Sequence, residues 1–417
     1  VARARPRVVY WFNQPTPYVV ARFNAVACHT DLEFEAWFSE VRQADRSWTV
    51  DERAWRFPAR YIPSRHFGPL SLRVPVPELR ATKPDVFVLE YDRLNLALGA
   101  MVGRVAAKRL GFRVLPNFDA WSDRQWWREA AKHLLFRSID GVKVPGSDGA
   151  ALARRYGTEP WRAFTVRQSI DLNHYATALE LSADERRARR DALGLRGCVF
   201  VYVGRLWRGK GLDELVTAYQ GLAAEVGSAV SLLVIGDGVD EQRYRRAFES
   251  MPRAVMTGFI QQAELPQWYA LADCLVFPTH GDPNGLVVEE AMAAGLPVIV
   301  SDACGDVRER VPEGVVGHVV PMGVVDVLRA RMKQVALDES HRSAMAARSQ
   351  SFVMDKSVEG YATDFEAWVH ELLGQPAATG VAVATCMVIG NLAMMIAGLE
   401  RWRCAPYVCE SEQVSRG

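Results

Sequence analysis

Along this chain, short runs of β-branched and aromatic residues alternate with stretches of helical spacing, the pattern of parallel strands covered by helices. In the first part Val8–Phe12, Phe34–Phe38, Val86–Leu89, Phe112–Leu115 and Gly141–Val144 predict strands. Asn95–Leu110, rich in Ala and Leu, and Arg124–Phe136 carry the apolar spacing of amphipathic helices. The Pro-rich stretch from Phe57 to Pro84 predicts loop, with one strand at most. From residue 198 the alternation is more regular. Cys198–Val203, Ser231–Ile235 and Ala254–Met256 run into turns built on Gly204, Gly236 and Gly258, and Cys274–Phe277 and Pro297–Val300 follow as further strands. Ligands of open parallel sheets bind beyond the carboxyl ends of the strands, so these turns are expected to line one crevice.

At 417 residues the chain exceeds what one hydrophobic core normally supports. The expected architecture is α/β: two doubly wound, Rossmann-like domains facing across a cleft. Residues 1–170 form the first domain, 171–196 a linker with a short helix, 197–350 the second domain, 351–373 a closing helix and 374–417 an apolar tail. In the linker Ser182-Ala-Asp-Glu185 spells a capping box, and Arg186, Arg187, Arg189 and Arg190 read as a solvated helix face.

Composition narrows the function. With 50 basic residues against 49 acidic, the net charge of +1 lacks the basic footprint of a nucleic-acid binder. The seven cysteines are scattered without a Cys-x-x-Cys pair and several lie in apolar runs, so they read as small core residues in a reducing compartment. The chain starts without the apolar region of a signal peptide, and the expected location is cytoplasmic.

Three turns hold residues suited to a nucleoside diphosphate joined to a polyhydroxylated group. In Gly204-Arg205-Leu-Trp-Arg-Gly-Lys210-Gly211 the glycines let backbone approach a ligand, and Arg205 and Lys210 offer two cations for a pyrophosphate. Taken alone, such cations are more often solvated. In Gly281-Asp282-Pro-Asn284-Gly285-Leu286-Val287, running on to Glu290, one carboxylate stands at the mouth of a helix and another further along it. The amides near Asn284, Gly285 and Leu286 favour an anion. The bland alternative makes Asp282 a helix cap and Glu289 and Glu290 a solvated face. Gly236-Asp237-Gly238 and Thr257-Gly258-Phe259-Ile260 are candidates to frame a base and ribose, or are plain turns.

Taken together in order and spacing, residues 198–350 resemble the donor domain of family 4 (group 1) glycosyltransferases of GT-B fold. The matching motifs are Val203-Gly-Arg-Leu with Lys210-Gly, Val234-Ile-Gly-Asp-Gly, Thr257-Gly-Phe, the run from Asp282 to Ile299, and Ser301-Asp. The resemblance implies that Arg205 and Lys210 bind the diphosphate, Glu290 the ribose and Asp282, where the family more usually has glutamate, the transferred sugar. It also implies transfer with retention and without a metal or other cofactor; the nucleotide sugar is the donor substrate, and the acceptor is a glycan, a lipid-linked group or a small molecule. The first domain matches by pattern more than by motif. Asn13-Gln-Pro-Thr-Pro-Tyr18 and Arg22-Phe-Asn24 stand where such enzymes often carry a glycine-rich loop near the acceptor. Many relatives have a histidine in the loop that here reads Asn117-Phe-Asp119-Ala-Trp121-Ser-Asp123. Asp119 is the substitute candidate, with a plain turn as the alternative, and Trp121, Trp126 and Trp127 are candidates for a sugar-stacking platform or for helix packing.

The helix from Ser357 to Leu373 resembles the closing helix of these enzymes. Beyond it, Leu372–Leu399 contains no charged residue. The segment is either a membrane anchor or a buried extra helix, and peripheral or re-entrant membrane association through 378–399, or an atypical tail, is expected rather than a simple span. Two other functions remain on the same architecture: a sugar-nucleotide epimerase or phosphorylase, and a non-catalytic nucleotide-sugar-binding scaffold.

Overall fold

A computed structural model describes residues 5–41, 48–49, 51–63, 65–67, 70–72, 75–90, 93–115 and 126–399. The first domain contains β1 (Arg7–Phe12), α1 (Pro17–His29), β2 (Glu33–Phe38), β3 (Ala59–Tyr61), β4 (Arg65–Phe67), β5 (Leu70–Leu72), α2 (Val76–Thr82) and β6 (Val86–Glu90). It continues through α3 (Arg93–Ala106), β7 (Arg109–Arg113), α4 (Trp126–Ser138), β8 (Gly141–Val144), α5 (Ser147–Arg155) and β9 (Ala163–Thr165). Seven of these strands form a parallel sheet in the order β3-β2-β1-β6-β7-β8-β9, and β4 and β5 pair as a separate antiparallel hairpin. The stretch 57–84 is therefore more structured than its prolines suggest, because Pro75 and Pro77 stand at the start of α2, where a missing N–H costs nothing. Strand β7 begins three residues before its apolar run: the helix before it stops at Ala106, and Arg109 enters the sheet opposite Val86.

After α6 (Leu172–Ala176) and α7 (Ala183–Ala192), the second domain builds β10 (Cys198–Val203), α8 (Leu212–Val226), β11 (Val230–Ile235), α9 (Glu241–Glu249), β12 (Ala254–Gly258), α10 (Leu265–Tyr269) and β13 (Cys274–Phe277). It closes with α11 (Val287–Ala293), β14 (Val298–Ser301), α12 (Val307–Arg310), β15 (Gly317–Val320), α13 (Val325–Leu337) and α14 (Glu339–Phe352). Its six parallel strands run β12-β11-β10-β13-β14-β15. The strands are apolar on both faces, as burial under helices on either side requires.

The capping box at Ser182 is formed in both directions. The arginine run is only half solvated: Arg186 and Arg190, one turn apart, both reach Asp273 at 2.8 Å and the carbonyls of Ala270, Leu271 and Ala272. They clamp α7 to the start of β13, which a reading of the helix by itself could not show. Cys198, Cys274, Cys304 and Cys386 are buried free thiols, whereas Cys28 is exposed rather than core.

The chain returns to the first domain through α15 (Val358–Gly374). Tyr361, Phe365, Trp368 and Leu372 of α15 enter the core made by Tyr10, Phe23 and Phe34. Next comes α16 (Val381–Leu399), which docks on α3 and α4. At Gly390 a Cβ would stand 2.1 Å from the Met101 carbonyl oxygen, so the two helix backbones touch there. Asp140 ties the segment down, accepting from the amides of Ala378 (2.6 Å) and Leu110 (2.7 Å). The segment forms an extra helix docked on α3 and α4, with Val381, Met387 and Val388 left exposed. Among the described residues no helix is long and apolar enough to cross a membrane.

The two sheets present their carboxyl edges to each other. The start of α5, after β8, meets the start of α12, after β14: Asp148 N donates to Asp306 Oδ1 (2.8 Å), and Asp306 N donates to Asp148 Oδ2 (2.9 Å). Beside them the Ser147 hydroxyl donates to Glu309. Burial, with the facing Asp148 and Glu309 carboxylates, pushes the Asp306 carboxyl up to about 6, against the pull of the Asp148 amide and Arg310. A carboxyl raised in the folded state takes up a proton on folding, so this contact is weakest above that pH and strengthens as pH falls towards the ordinary carboxylate range. Asp306→Asn keeps the acceptor oxygen and suits the positive φ of 53°. It is expected to raise the unfolding free energy at pH 8 by on the order of 1 kcal/mol after solvent screening, read as a higher Tm, and to have little effect near pH 4. A lower Tm at pH 8 would contradict this account of the contact.

Candidate functional site

The second sheet changes winding direction between β10 and β13, where the loops that leave the two strands part and open a crevice. Lys210 comes from the loop after β10 and Asp282 from the loop after β13. Two glycines set their approach. Gly211 has φ 71°, and a Cβ there would lie 1.8 Å from the Pro278 carbonyl oxygen, so only glycine lets the Lys210 turn rest against the end of β13. Gly236, at φ 141°, would place a Cβ 1.9 Å from the Gly204 carbonyl oxygen. The three glycine turns are stitched together: Gly204 N donates to Ile235 O (3.0 Å) and Gly236 N to Gly258 O (2.9 Å).

Lys210 Nζ lies 2.7 Å from Asp282 Oδ2, with both side chains largely buried. Asp282 Oδ1 accepts from the amides of Asn284 (2.9 Å) and Gly285 (2.5 Å). Burial would raise this carboxyl, but the Lys210 ammonium and the two amides pull it below the usual range. Asp282 is thus both a cap and the partner of a cation. The amides of Asn284 and Gly285, expected to meet an anion, are engaged by Asp282 at the start of α11.

Glu290 is 8% exposed and lies one turn into α11, among tyrosines. Its Oε2 accepts from Tyr269 Oη at 3.0 Å, and Tyr175 also hydrogen-bonds to it. Gln262, two residues beyond Ile260, donates to Tyr175 Oη at 3.2 Å. Burial raises Glu290 to about 7, with the Glu289 charge adding to the rise, against the two tyrosine hydroxyls. Phe259 and Ile260 are half-buried at the end of β12. Arg205 is half-buried in the β10 loop, and its carbonyl accepts from Tyr202 Oη at 2.9 Å.

Neither glutamate forms a solvated face. Glu289, 2% exposed, is bridged in bidentate fashion by Arg310 at 2.6 Å for both contacts. Arg310 also donates to Gly285 O (3.1 Å) and Gly305 O (2.9 Å), and so fastens the loop after β13 to the start of α12. This pair was missed in the sequence because its members are 21 positions apart and neither stands in a glycine turn. Asp119, Asn117 and Trp121 lie outside the described residues. Trp126 is 80% exposed at the start of α4, which removes helix packing as its role.

Residues 197–338 match the family described as glycosyl transferases group 1. The chain belongs to this family. It is 30% identical over 318 residues to a GDP-mannose-dependent alpha-mannosyltransferase of Mycobacterium tuberculosis, covering 71% of this chain and 76% of that one. It is 33% identical over 316 residues to the sulfoquinovosyl transferase of Arabidopsis thaliana, covering 70% and 60%. A D-inositol 3-phosphate glycosyltransferase of Xylanimonas cellulosilytica is 30% identical over 213 residues, with 48% and 49% covered. The match therefore spans about half of that last relative's length. Among solved structures, sucrose-phosphate synthase from Thermosynechococcus elongatus superposes with TM-score 0.70 at 18% identity, covering 89% of this chain and 100% of that one. HepE of Anabaena with UDP-glucose gives 0.68 at 17% identity, with 89% and 100% covered. The two-sheet architecture is thus the GT-B fold, and the protein is a glycosyltransferase.

Removing one member of a buried ion pair leaves a charge without a partner and costs about 3–5 kcal/mol. Arg310→Ala is accordingly expected to lower the unfolding free energy by about that much in a denaturant titration. A loss below about 1 kcal/mol, the range of exposed pairs, would show that Arg310 is not holding the loop.

Proposed function

We propose that the protein transfers a hexosyl group from a nucleoside-diphosphate sugar to a hydroxyl of its acceptor, with retention at the anomeric carbon and no metal ion. The observation that carries this reading is the Lys210–Asp282 pair at the switch point of the second sheet, framed by three glycine turns. A bound diphosphate competes with Asp282 for the Lys210 ammonium, and Arg205 supplies the second cation. Two fixed cations in a partly dried crevice stabilise the negative charge that develops on the departing diphosphate, a contribution typically worth several kcal/mol. The departing phosphate oxygen is itself the base that takes the acceptor's proton.

Asp282 keeps a role towards the sugar. A carboxylate offers about four lone-pair sites, and the donors Lys210, Asn284 and Gly285 use three, so one remains for a sugar hydroxyl. Glu290 is the ribose acceptor, with Tyr175 and Tyr269 fixing its plane. Gly236, Gly258, Phe259 and Ile260 frame the base, and the amides at Leu286 and Val287 face the sugar and phosphate, with Gly285 holding Asp282 beside them. Asp119 is the candidate to orient the acceptor. The GDP-mannose-dependent relative matched over most of this chain supports GDP-mannose as the donor.

Transfer from GDP-mannose, UDP-glucose and ADP-glucose is the test, followed as release of the nucleoside diphosphate. Lys210→Met is expected to lower turnover at least about a hundredfold, the scale of losing one fixed charge-stabilising donor, while leaving the fold intact by circular dichroism. Full turnover in that variant would remove Lys210 from the machinery, and no transfer by the wild type from any of these donors would favour a scaffold.

The Glu290 carboxyl near 7 adds a second expectation. Its ionised form accepts from two ribose hydroxyls and its protonated form from fewer, so GDP should bind more weakly as pH falls through about 7. Glu290→Gln should flatten that dependence in isothermal titrations. An unchanged pH profile would remove Glu290 from the ribose.

A further inference from the structure

The carboxyl edge of the first sheet holds charged side chains that donor binding does not use. Glu90, Arg113 and Lys143 stand at the ends of β6, β7 and β8 and are direct neighbours in register: Glu90 opposite Arg113, and Arg113 opposite Lys143. Neighbours at the same level of adjacent strands point to the same face. On that face Lys143 Nζ donates to Tyr361 Oη of α15 at 2.6 Å, and Arg113 donates to Glu90. Arg22 arrives from α1, its guanidinium 5.4 Å from the Tyr18 ring centre and 5.7 Å from that of Tyr361, and donates to the Ser169 carbonyl at 2.6 Å.

Three cations, 3%, 8% and 3% exposed for Arg22, Arg113 and Lys143, share one carboxylate among the described residues. Repulsion from Arg113 adds to burial in the proton affinities of the other two, whereas against burial Glu90 holds Arg113 itself above an ordinary arginine. Burial and then the Arg113 charge lower Lys143 well below an ordinary lysine, and burial and Arg113 lower Arg22 to about 10. Buried cations without counter-charge are costly, and a protein built only for stability would replace them with apolar side chains. The Glu90–Arg113 pair keeps part of its side-chain surface exposed, 16% and 9%, where the strands end towards the other domain.

We propose that Arg22, Arg113 and Lys143 form the receptor for a phosphoryl group carried by the acceptor. Three cationic groups against one carboxylate leave an excess that a phosphomonoester of charge about −1.5 to −2 near neutral pH would offset, and such an anion would draw Lys143, lowered by burial, back to its charged form. Arg113 and Lys143 are then specificity-determining groups at the carboxyl edge that faces the donor domain. The assignment of this anion to an acceptor rests on the glycosyl-transfer reading; the anion site itself does not.

The test is thermal unfolding of the full chain in inorganic phosphate against chloride at matched ionic strength, for wild type, Lys143→Met and Lys210→Met. Wild type and Lys210→Met are expected to gain Tm with phosphate. Lys143→Met should respond about tenfold more weakly or not at all, the scale of losing a charged hydrogen bond, while being at least as stable as wild type in chloride. If Lys143→Met fails to fold, Lys143→Gln, which keeps a donor to Tyr361, takes its place with the same expectation. Vesicles of phosphatidic acid in phosphatidylcholine, with phosphatidylcholine alone as blank, form a second arm. A Lys143-dependent response to vesicles places the phosphoryl group on a lipid, and one to inorganic phosphate alone places it on a soluble acceptor. The proposal is overturned if wild type ignores both probes, or if the response survives Lys143→Met and disappears in Lys210→Met. Because GDP binding by Lys143→Met reads the donor site separately, failure of either reading is distinguishable from failure of the other.

Discussion

Everything at the donor site follows from the reversal of strand order between β10 and β13. Right-handed crossovers send the chain to one side after β10 and to the other after β13, so the two loops must part where their strands lie side by side. Into that gap the fold brings one ammonium and one carboxylate, and Gly211 allows the approach because any side chain there would collide with the Pro278 carbonyl. The ion pair needs little stabilising power of its own. In the proposed function its value lies in holding a cation in place, partly desolvated, before a diphosphate arrives.

The pair is also wired into the contact between domains. Asp282 O accepts from Gly305 N at 2.9 Å, and the next residue, Asp306, exchanges two hydrogen bonds with Asp148 of the other domain. Arg310 spans the same stretch, from Gly285 O to Gly305 O, with Glu289 fixing its plane. A shift of one domain against the other is thereby felt at the loop that presents Asp282. Such coupling suits the proposed reaction, in which acceptor and donor lie on opposite walls of one cleft and meet without water between them.

The parts legible in the sequence are those whose cause is local. Glycines at strand ends, the Ser182–Glu185 cap and the spacing from Asp282 to Glu290 each involve residues within about a dozen positions, where a pattern of residue types reports a backbone requirement. The parts that stayed hidden depend on distant partners. Arg186 and Arg190 read as solvated until Asp273, more than eighty positions on, is placed beneath them. Glu289 reads as surface until Arg310 reaches it, and nothing within α16 announces that α3 and α4 receive one of its faces. The register that lines up Glu90, Arg113 and Lys143 belongs to the same class, since no periodicity within one strand states which residue of the next lies opposite. Asp282 shows the intermediate case: the sequence marked it as either cap or ligand group, and the structure gives it the geometry of both.

A crystal structure of the protein with GDP bears most directly on the central claim. The account predicts the diphosphate between the β10 and β13 loops, with oxygens within hydrogen-bonding reach of Lys210 Nζ, Asp282 displaced from that ammonium, and the ribose hydroxyls at Glu290. Nucleotide bound elsewhere, or bound with Lys210 still paired to Asp282 and out of reach of phosphate, would contradict it.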